Sequence, residues 1–477
     1  MKKNWQLPSY DDAKRRRIEQ SEVIYNTFNL SEDQKILGKH KSYYIRTYGC
    51  QANERDTEVL AGILEQMSYT KTSSIEEADV ILLNTCSIRE NANNKVFGEI
   101  GQLKHIKTAN PDVIIGVCGC MTQEEVIVKK ILKTYPQVDL IFGTHNIHHL
   151  ADLLTQAHFT KERTVQVFSE EGDIIENLPS TRAQKHKAWV NIMYGCDKFC
   201  TYCIVPMTRG KQRSRLLEDI IEEVNQLVLD NYKEITLLGQ NVNAYGKDRQ
   251  MQDGFATLLE AIANTGIPRV RFMTSHPWDF TDKMIDVIAK YPNIMPYIHL
   301  PLQSGSNKVL KLMGRRYTQE EYLTLFDKIK KAIPNCAVST DIIVGFPNET
   351  EDDFQKTLDV FNHCKYDNAY TFIFSPRNST PAANMESVNS PQENKKRLLQ
   401  LNELVKKYSL ERNQEYINQT VEVLVDGFSK KDESIYTGYT PSSKVVNFKA
   451  DDINIGDIVR VKINKVKTWY LSGELVK

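Results

Sequence analysis

The stretch Gly195-Cys196-Asp197-Lys198-Phe199-Cys200-Thr201-Tyr202-Cys203 constrains this chain more than any other. Three of the nine cysteines fall within eight residues, spaced C-x3-C-x2-C. Thiolates are soft ligands that favour zinc, copper(I) or iron–sulfur clusters. A structural zinc site takes four closed ligands, usually as two separated pairs, and the chain holds no second C-x2-C pair. A redox dithiol would use Cys200 and Cys203 and leave Cys196 unexplained. The spacing also fits i, i+4, i+7, the pattern of three buried cysteines on one helical face. Gly195 before the run and Pro206 after it favour a loop instead. Three thiolates on a four-iron cluster leave one iron open, where a small molecule can coordinate.

A chain of 477 residues is long enough for roughly three domains. Hydrophobic residues at 41% can fill real cores, and charged residues at 26% are ordinary for a globular protein. The formal net charge is zero, so any nucleic-acid surface has to be a local patch. No apolar run reaches the roughly eighteen residues of a membrane span. The amino terminus is polar and charged, unlike the apolar core of a signal peptide. Clustered cysteines in odd number suit metal ligation in a reducing compartment, so the expected location is cytoplasmic, with no membrane partner.

Residues 1–40 carry many charges and few aliphatics, and are expected to be a charged extension, disordered or partly helical. The run from Lys14 to Arg17 reads as a solvated basic face rather than an RNA contact. From Lys41 the pattern changes. Strands are expected at Tyr43–Tyr48, Val80–Asn84, Val113–Val117 and Leu140–Gly143, with helical stretches at Asp56–Met67 and Lys95–Lys107 between them. Apolar strands alternating with helices imply a parallel sheet covered on both faces. Ligands of such sheets gather outside the carboxyl ends of the strands. Three successive strands each deliver a cysteine there: Cys50, Cys86, and Cys118 or Cys120. Three thiolates at one rim again suit a cluster with an open iron. Cys120 is the expected ligand of the last pair because it lies further past the strand. Cys118 is expected to pack.

Residues 160–181 read as a linker, and a second βα series fills 182–412. Its strands are expected at Trp189–Met193, Glu234–Leu238, Arg269–Met273, Tyr297–Leu300, Ala337–Val344 and Ala369–Phe374, with helices such as Leu217–Leu229 and Thr318–Ala332 between. Six βα units imply an open, barrel-like sheet, since eight are needed for closure. The cysteine loop follows the first strand. Loops at Gly239-Gln240-Asn241, Thr274-Ser275-His276-Pro277, Gln303-Ser304-Gly305-Ser306 and Gly345-Phe346-Pro347 share its rim, the face that holds the active site of barrel enzymes. His276 and His299 are expected to be hydrogen-bonded structural residues. Arg209 to Arg215 is a dense basic run beside the cysteine loop, either solvated or holding RNA phosphate.

Gln392 to Gln414 reads as a polar amphipathic helix that closes the barrel. Residues 415–477 look like short strands between Gly and Asp/Asn turns, a small all-β, OB-like module. In Val459-Arg460-Val461-Lys462-Ile463 the alternation turns Arg460 and Lys462 outward together, with Trp469 close behind. A basic face with a nearby aromatic suits single-stranded RNA. The fold class expected is thus α/β: an N-terminal Rossmann-like parallel-sheet domain (41–159), a central open (β/α)6 barrel, and the all-β tail.

These residues bring a family resemblance into focus. Thr47 to Asn53, Asn84 to Ala92 and Cys118 to Gln123 resemble the three cysteine motifs of the radical S-adenosylmethionine (SAM) methylthiotransferases. Tyr194 to Pro206 with Thr208 to Arg215 resembles their radical SAM motif; His299 to Ser306 and Thr340 to Pro347 fit as well. The tail is similar to the TRAM RNA-binding domain. Coverage runs from Lys41 to the end. The pattern departs at Ala52, where Met is usual, and at Asn378-Ser379, where Glu-Gly is usual; neither removes a ligand. The resemblance implies two 4Fe-4S clusters, one on Cys196, Cys200 and Cys203, the catalytic trio that binds SAM and cleaves it to a 5′-deoxyadenosyl radical. The other, on Cys50, Cys86 and Cys120, would hold the sulfur that a second SAM methylates. Tyr202, Gly239, Gln240 and Gly345 are the candidate SAM contacts, from rim position and resemblance, and Arg460 and Lys462 the candidate RNA contacts. Asn84 to Ala92 resembles the branch that adds a methylthio group to dimethylallyl-adenosine in the tRNA anticodon loop. Sibling branches act on threonylcarbamoyl-adenosine or on a ribosomal protein aspartate, and a non-catalytic iron–sulfur RNA-binding protein is the alternative from another class. An electron donor such as a flavodoxin or ferredoxin is implied, and nothing in the pattern suggests a dimer seam, so a monomer is expected.

Overall fold

The structure, a computed structural model, describes residues 5, 7, 9–15, 21–25, 28–87 and 90–476. Arg16 and Arg17 of the basic run, and Ile88 and Arg89 of the second cysteine motif, lie outside the described residues. The chain divides into two compact units. The first comprises Met1–Ala183, Met193–Phe199 and Cys203–Leu216; the second comprises Gln184–Ile192, Cys200–Tyr202 and Leu217–Lys477.

The first unit is built on a six-stranded sheet in the order Thr70–Lys71, Ser42–Thr47, Val80–Thr85, Ile114–Gly119, Leu140–Phe142, Thr164–Gln166. Every neighbouring pair is parallel. The strands Val80–Thr85 and Ile114–Gly119 are buried at all six positions, because helices cover both faces. On one face Leu82 and Leu140 meet Leu60, Ile63 and Leu64 of the helix Gln51–Gln66 and Leu150 and Leu154 of Leu150–Thr160. On the other, Ile81, Leu83, Ile115 and Val117 meet Val96, Ile100 and Leu103 of Glu90–Ala109 and Val128 and Ile131 of Glu125–Thr134. Each buried aliphatic side chain of this kind contributes about 1.5–3 kcal/mol. Two strands of this sheet were hidden in the sequence. Thr70–Lys71 is too short for a period, and Thr164–Gln166 falls in the charged stretch read as a linker. The helix Gln51–Gln66 starts earlier than the expected Asp56, since its first turn is polar and carries no apolar spacing.

The second unit holds six parallel-sheet strands in two sets of three. Their orders are Arg269–Phe272, Glu234–Leu238, Lys187–Asn191 and Tyr297–His299, Ala337–Val344, Asn368–Ile373. A parallel bridge pairs Val270 with Ile294, three residues ahead of the strand Tyr297–His299, so six parallel strands follow one another in the open arrangement expected. The helix Pro391–Gln414 has a reciprocal Ser390/Glu393 cap with proline in its first turn. It lies along the last of these strands, where the Thr371 hydroxyl donates to Asn402 Oδ1 at 2.6 Å.

The tail is a closed five-stranded barrel in the order Thr420–Ser429, Asp432–Tyr439, Val445–Lys449, Leu471–Leu475, Ile458–Val466. Closure removes the exposed edges that a small sheet would otherwise present. Val423, Val425, Val446, Phe448, Val461, Ile463 and Leu471 fill it. Two buried arginines fasten it to the strand Arg269–Phe272. Arg269 donates to Tyr439 O at 2.9 Å and Glu422 Oε1 at 2.8 Å. Arg271 donates to Glu234 Oε2, Thr440 O and Pro441 O at 2.8, 2.8 and 2.9 Å.

Candidate functional site

In the first unit, three adjacent parallel strands end at one rim and deliver Cys50, Cys86 and Cys120. Cys50 sits in extended backbone as the residue before the helix Gln51–Gln66, where free backbone N–H groups favour negative charge. Gly49 has φ +128°, and a Cβ there would run into Cys86. Gly119, at φ +95°, would strike the backbone of Thr85 in the same way. Both glycines let the rim close on itself.

At its centre is Asn53, fully buried. Its Nδ2 donates to Thr85 O at 2.8 Å, and its Oδ1 lies 3.7 Å from Cys50 Sγ and 3.9 Å from Cys120 Sγ. Arg209 approaches the same atoms: Nε donates to Cys120 Sγ at 3.1 Å, and Nη2 reaches Asn53 Oδ1 at 2.9 Å and Asp56 at 2.6 Å. A hydrogen bond with Cys86 and the nearby Arg209 guanidinium, working against burial, hold the Cys50 thiol down at about 6. Burial pushes the Cys120 thiol up to about 11, against the pull of Arg209. Cys118 lies in the apolar core among Leu60, Leu82 and Leu140, and burial pushes its thiol well above the ordinary range.

Among the described residues no three Cys, His, Asp or Glu side chains are gathered as a single metal ion would require. A four-iron cluster asks for something different, because each thiolate binds its own iron. Three thiols at one rim, two of them against the buried Asn53 amide, with a buried cation to balance thiolate charge, fit that donor set.

The loop carrying Cys196 is pinned at its base by the antiparallel pairing of Met193–Tyr194 with Arg213–Ser214. Gly195 has φ +71°, and a Cβ there would meet Lys211 O. The Cys196 N–H donates to Gly210 O at 3.1 Å, and Gln212 N–H to Asp197 Oδ1 at 3.0 Å. Cys196 and Cys203 count with the first unit and Cys200 with the second. In the second unit, Arg315 Nη1 lies 3.6 Å from Cys200 Sγ, and Thr201 exchanges hydrogen bonds with Met313, Leu312 and Ala382. Tyr202 meets Phe346 edge-on at 6.3 Å.

The basic run reads differently in three dimensions. Arg209, Arg213 and Arg215 are all buried and partnered, neither solvated nor free to meet phosphate. Arg215 makes a two-point pair with Glu176 at 2.6 and 2.7 Å, and Arg213 donates to Gly172 O. Their partners lie 39 to 156 residues upstream, so charge pattern alone could not find them.

Of the candidate SAM contacts, Gly345 has φ +70° and no room for a Cβ beside Asn394. Its N–H donates to Glu349 Oε2 at 2.6 Å, and Arg397 Nη1 pairs with that oxygen at 3.0 Å. Burial pushes the Glu349 carboxyl up to about 7 despite both donors. Gly239 O accepts from the Thr274 hydroxyl, and the half-buried Gln240 follows it at the end of its strand. Sequence reasoning missed the inner face of the second strand set. His299 bonds Ser339 Oγ at 2.8 Å and lies 3.3 Å from Asp341, so it is hydrogen-bonded. Next to it Tyr370, 5.9 Å from the His299 ring, and Phe372 stand exposed two residues apart on one face of Asn368–Ile373. Alternation along that strand was the available signal.

In the tail, Arg460 and Lys462 are exposed while Val461 and Ile463 point into the barrel, so the two cations share an outward face. Trp469 is exposed as well. Among the described residues no helix is long and apolar enough to cross a membrane.

Comparison with known proteins places these features. Residues 190–361 match the Radical SAM superfamily, 42–143 the Uncharacterized protein family UPF0004, and 414–476 the TRAM domain. A protein of Bacillus licheniformis named tRNA-2-methylthio-N(6)-dimethylallyladenosine synthase is 58% identical over 98% of this chain and 92% of its own length. One of the same name from Staphylococcus epidermidis is 57% identical over 99% of this chain and 92% of its own. Among solved structures, the radical S-adenosylmethionine methyltransferase TsrM from Kitasatospora setae is similar with TM-score 0.54. It is 13% identical over 72% of this chain and 75% of its own, a likeness of fold alone. With relatives this similar over nearly its whole length, the chain belongs to the tRNA-2-methylthio-N(6)-dimethylallyladenosine synthase family of radical SAM enzymes.

Proposed function

We propose that this enzyme adds a methylthio group to C2 of N6-(dimethylallyl)adenosine beside the anticodon of tRNA. The observation that carries the reading is the identity of 57–58% to synthases of that name. Cys196, Cys200 and Cys203 would hold one 4Fe-4S cluster and Cys50, Cys86 and Cys120 the other. With SAM bound, these groups supply the radical that activates the adenine carbon, together with the sulfur and methyl of the product. The chain's own residues do the rest. Asn53 and Arg209 orient and charge-balance the thiols of Cys50 and Cys120. Tyr202, Gly239, Gln240 and Gly345 would line the SAM site, with Glu349 and Arg397 fixing the Gly345 turn. Tyr370 and Phe372 offer an apolar wall for the prenyl group, whose burial is favourable by about 25 cal/mol per Å². An anticodon loop suits this site because its unpaired bases can be splayed into a pocket. Arg460 and Lys462 would hold its phosphates. The enzyme would work as a cytoplasmic monomer, reduced by a flavodoxin or ferredoxin.

The test is an anaerobic reaction with two synthetic anticodon stem-loops, one carrying dimethylallyl-adenosine and one plain adenosine. Mass analysis of the nucleosides should show a methylthio gain on the prenylated loop and little on the plain one. Equal turnover of both would overturn the substrate assignment.

A further inference from the structure

Arg209 reaches from the segment that carries the basic run to the rim that carries Cys120. It is 7% exposed. Its guanidinium touches Cys120 Sγ, Asn53 Oδ1 and Asp56, the last also buried at 6% exposure. The next residue, Gly210, accepts the N–H of Cys196 through its carbonyl at 3.1 Å. A single backbone step therefore separates a contact with one trio from a contact with the other. Arg213 braces this step by donating to Arg209 O at 3.3 Å, and Gly210 holds φ +77°, which favours glycine.

A buried arginine–aspartate pair is costly to desolvate, and a hydrophobic pair of similar volume is often as stable. Here the cation is aimed at a thiol rather than shielded from it. Hydrogen bonds and charge around ligating sulfurs set the reduction potential of an iron–sulfur cluster.

We propose that Arg209 is a positioning residue that raises the reduction potential of the cluster held by Cys50, Cys86 and Cys120, with Asp56 moderating its charge. The inference rests on the two-cluster reading above. An N–H donor and a positive charge on Cys120 Sγ stabilise the more negative, reduced cluster. Asp56 withdraws part of that effect, so removing its charge acts in the opposite direction.

The experiment is a potentiometric titration of the anaerobically reconstituted full-length protein, followed by electron paramagnetic resonance with dithionite as the reductant. A Cys196→Ala/Cys200→Ala/Cys203→Ala background leaves one cluster's signal to follow. Arg209→Gln should move the midpoint to a more negative value, Asp56→Asn to a more positive one, and Arg209→Lys should fall between Arg209→Gln and the parent. In the otherwise unaltered enzyme, Arg209→Gln should lower methylthio product by about tenfold, the usual scale for a lost partner of a metal ligand. Midpoints that stay put, or that move the same way in Arg209→Gln and Asp56→Asn, overturn the proposal. If Arg209→Gln takes up no iron, the direction of the Asp56→Asn shift decides. Full iron retained by Cys120→Ala would instead sink the ligand assignment itself.

Discussion

Cys118 and Cys120 stand two residues apart in opposite surroundings, one packed among leucines and the other against Asn53 and Arg209. Cys118→Ala should therefore keep its full iron and lose about 1 kcal/mol of stability, the centre of the range for point changes. Cys120→Ala should lose about half the iron, since each trio would hold one of two equal clusters. Iron assay with thermal melting separates the two outcomes, and the reverse pattern would show that the ligand is Cys118. Glu349 offers a pH test. Its carboxyl is raised from 4.5 to about 7, chiefly by burial. A raised carboxyl contributes stability that is complete below 4.5 and lost as pH climbs through about 7. Glu349→Gln does not titrate, so its melting temperature should gain on the wild type across that window. Parallel melting curves from pH 4.5 to 7.5 would refute the account. Residue types at strand ends made the cysteines legible in the sequence. Arg209 was not, because its partners Asn53, Asp56 and Cys120 are brought to it by the fold.

The strand Arg269–Phe272 does two jobs. It belongs to the barrel sheet, and its two arginines donate to the carbonyls of Tyr439, Thr440 and Pro441 in the tail. Arg271→Ala removes the 2.8 Å partner of the buried Glu234 carboxylate, leaving it Arg269 at 3.9 Å, and takes the donor from two carbonyls, a change worth about 3 kcal/mol. The expected result is earlier proteolytic release of residues beyond the helix Pro391–Gln414, seen as a new fragment in a time course. An unchanged digestion pattern would mean that other contacts, such as Lys444 with Asp367 at 2.7 Å, hold the tail alone. Long apolar strands were readable from sequence to within a residue or two. The closing strand Leu471–Leu475 was not, because Ser472 and Gly473 interrupt its apolar alternation. Gly473 is needed there, as a Cβ would press on Lys462 O of the neighbouring strand.

With a net charge of zero, binding of an anionic RNA has to come from patches rather than from the whole surface. Arg460→Ala with Lys462→Ala should weaken tRNA binding and flatten its salt dependence by at most about two units of slope. Binding titrations at several salt concentrations check this, and an unchanged slope would move the RNA face elsewhere. At this scale alternation of strands and helices made the parallel sheets legible, and short turn-bounded strands the tail. What the sequence concealed is that Met193–Phe199 and Cys203–Leu216 pack with the amino-terminal residues rather than with their chain neighbours. That threading limits how the molecule can be cut and rejoined. A fragment ending at the 160–181 stretch would leave Asp56 and Asn53 buried without their cation, so it should be recovered insoluble. A hybrid that takes its amino-terminal half from a sibling enzyme must draw residues 193–216 from the same parent, or the graft will meet the wrong arginine.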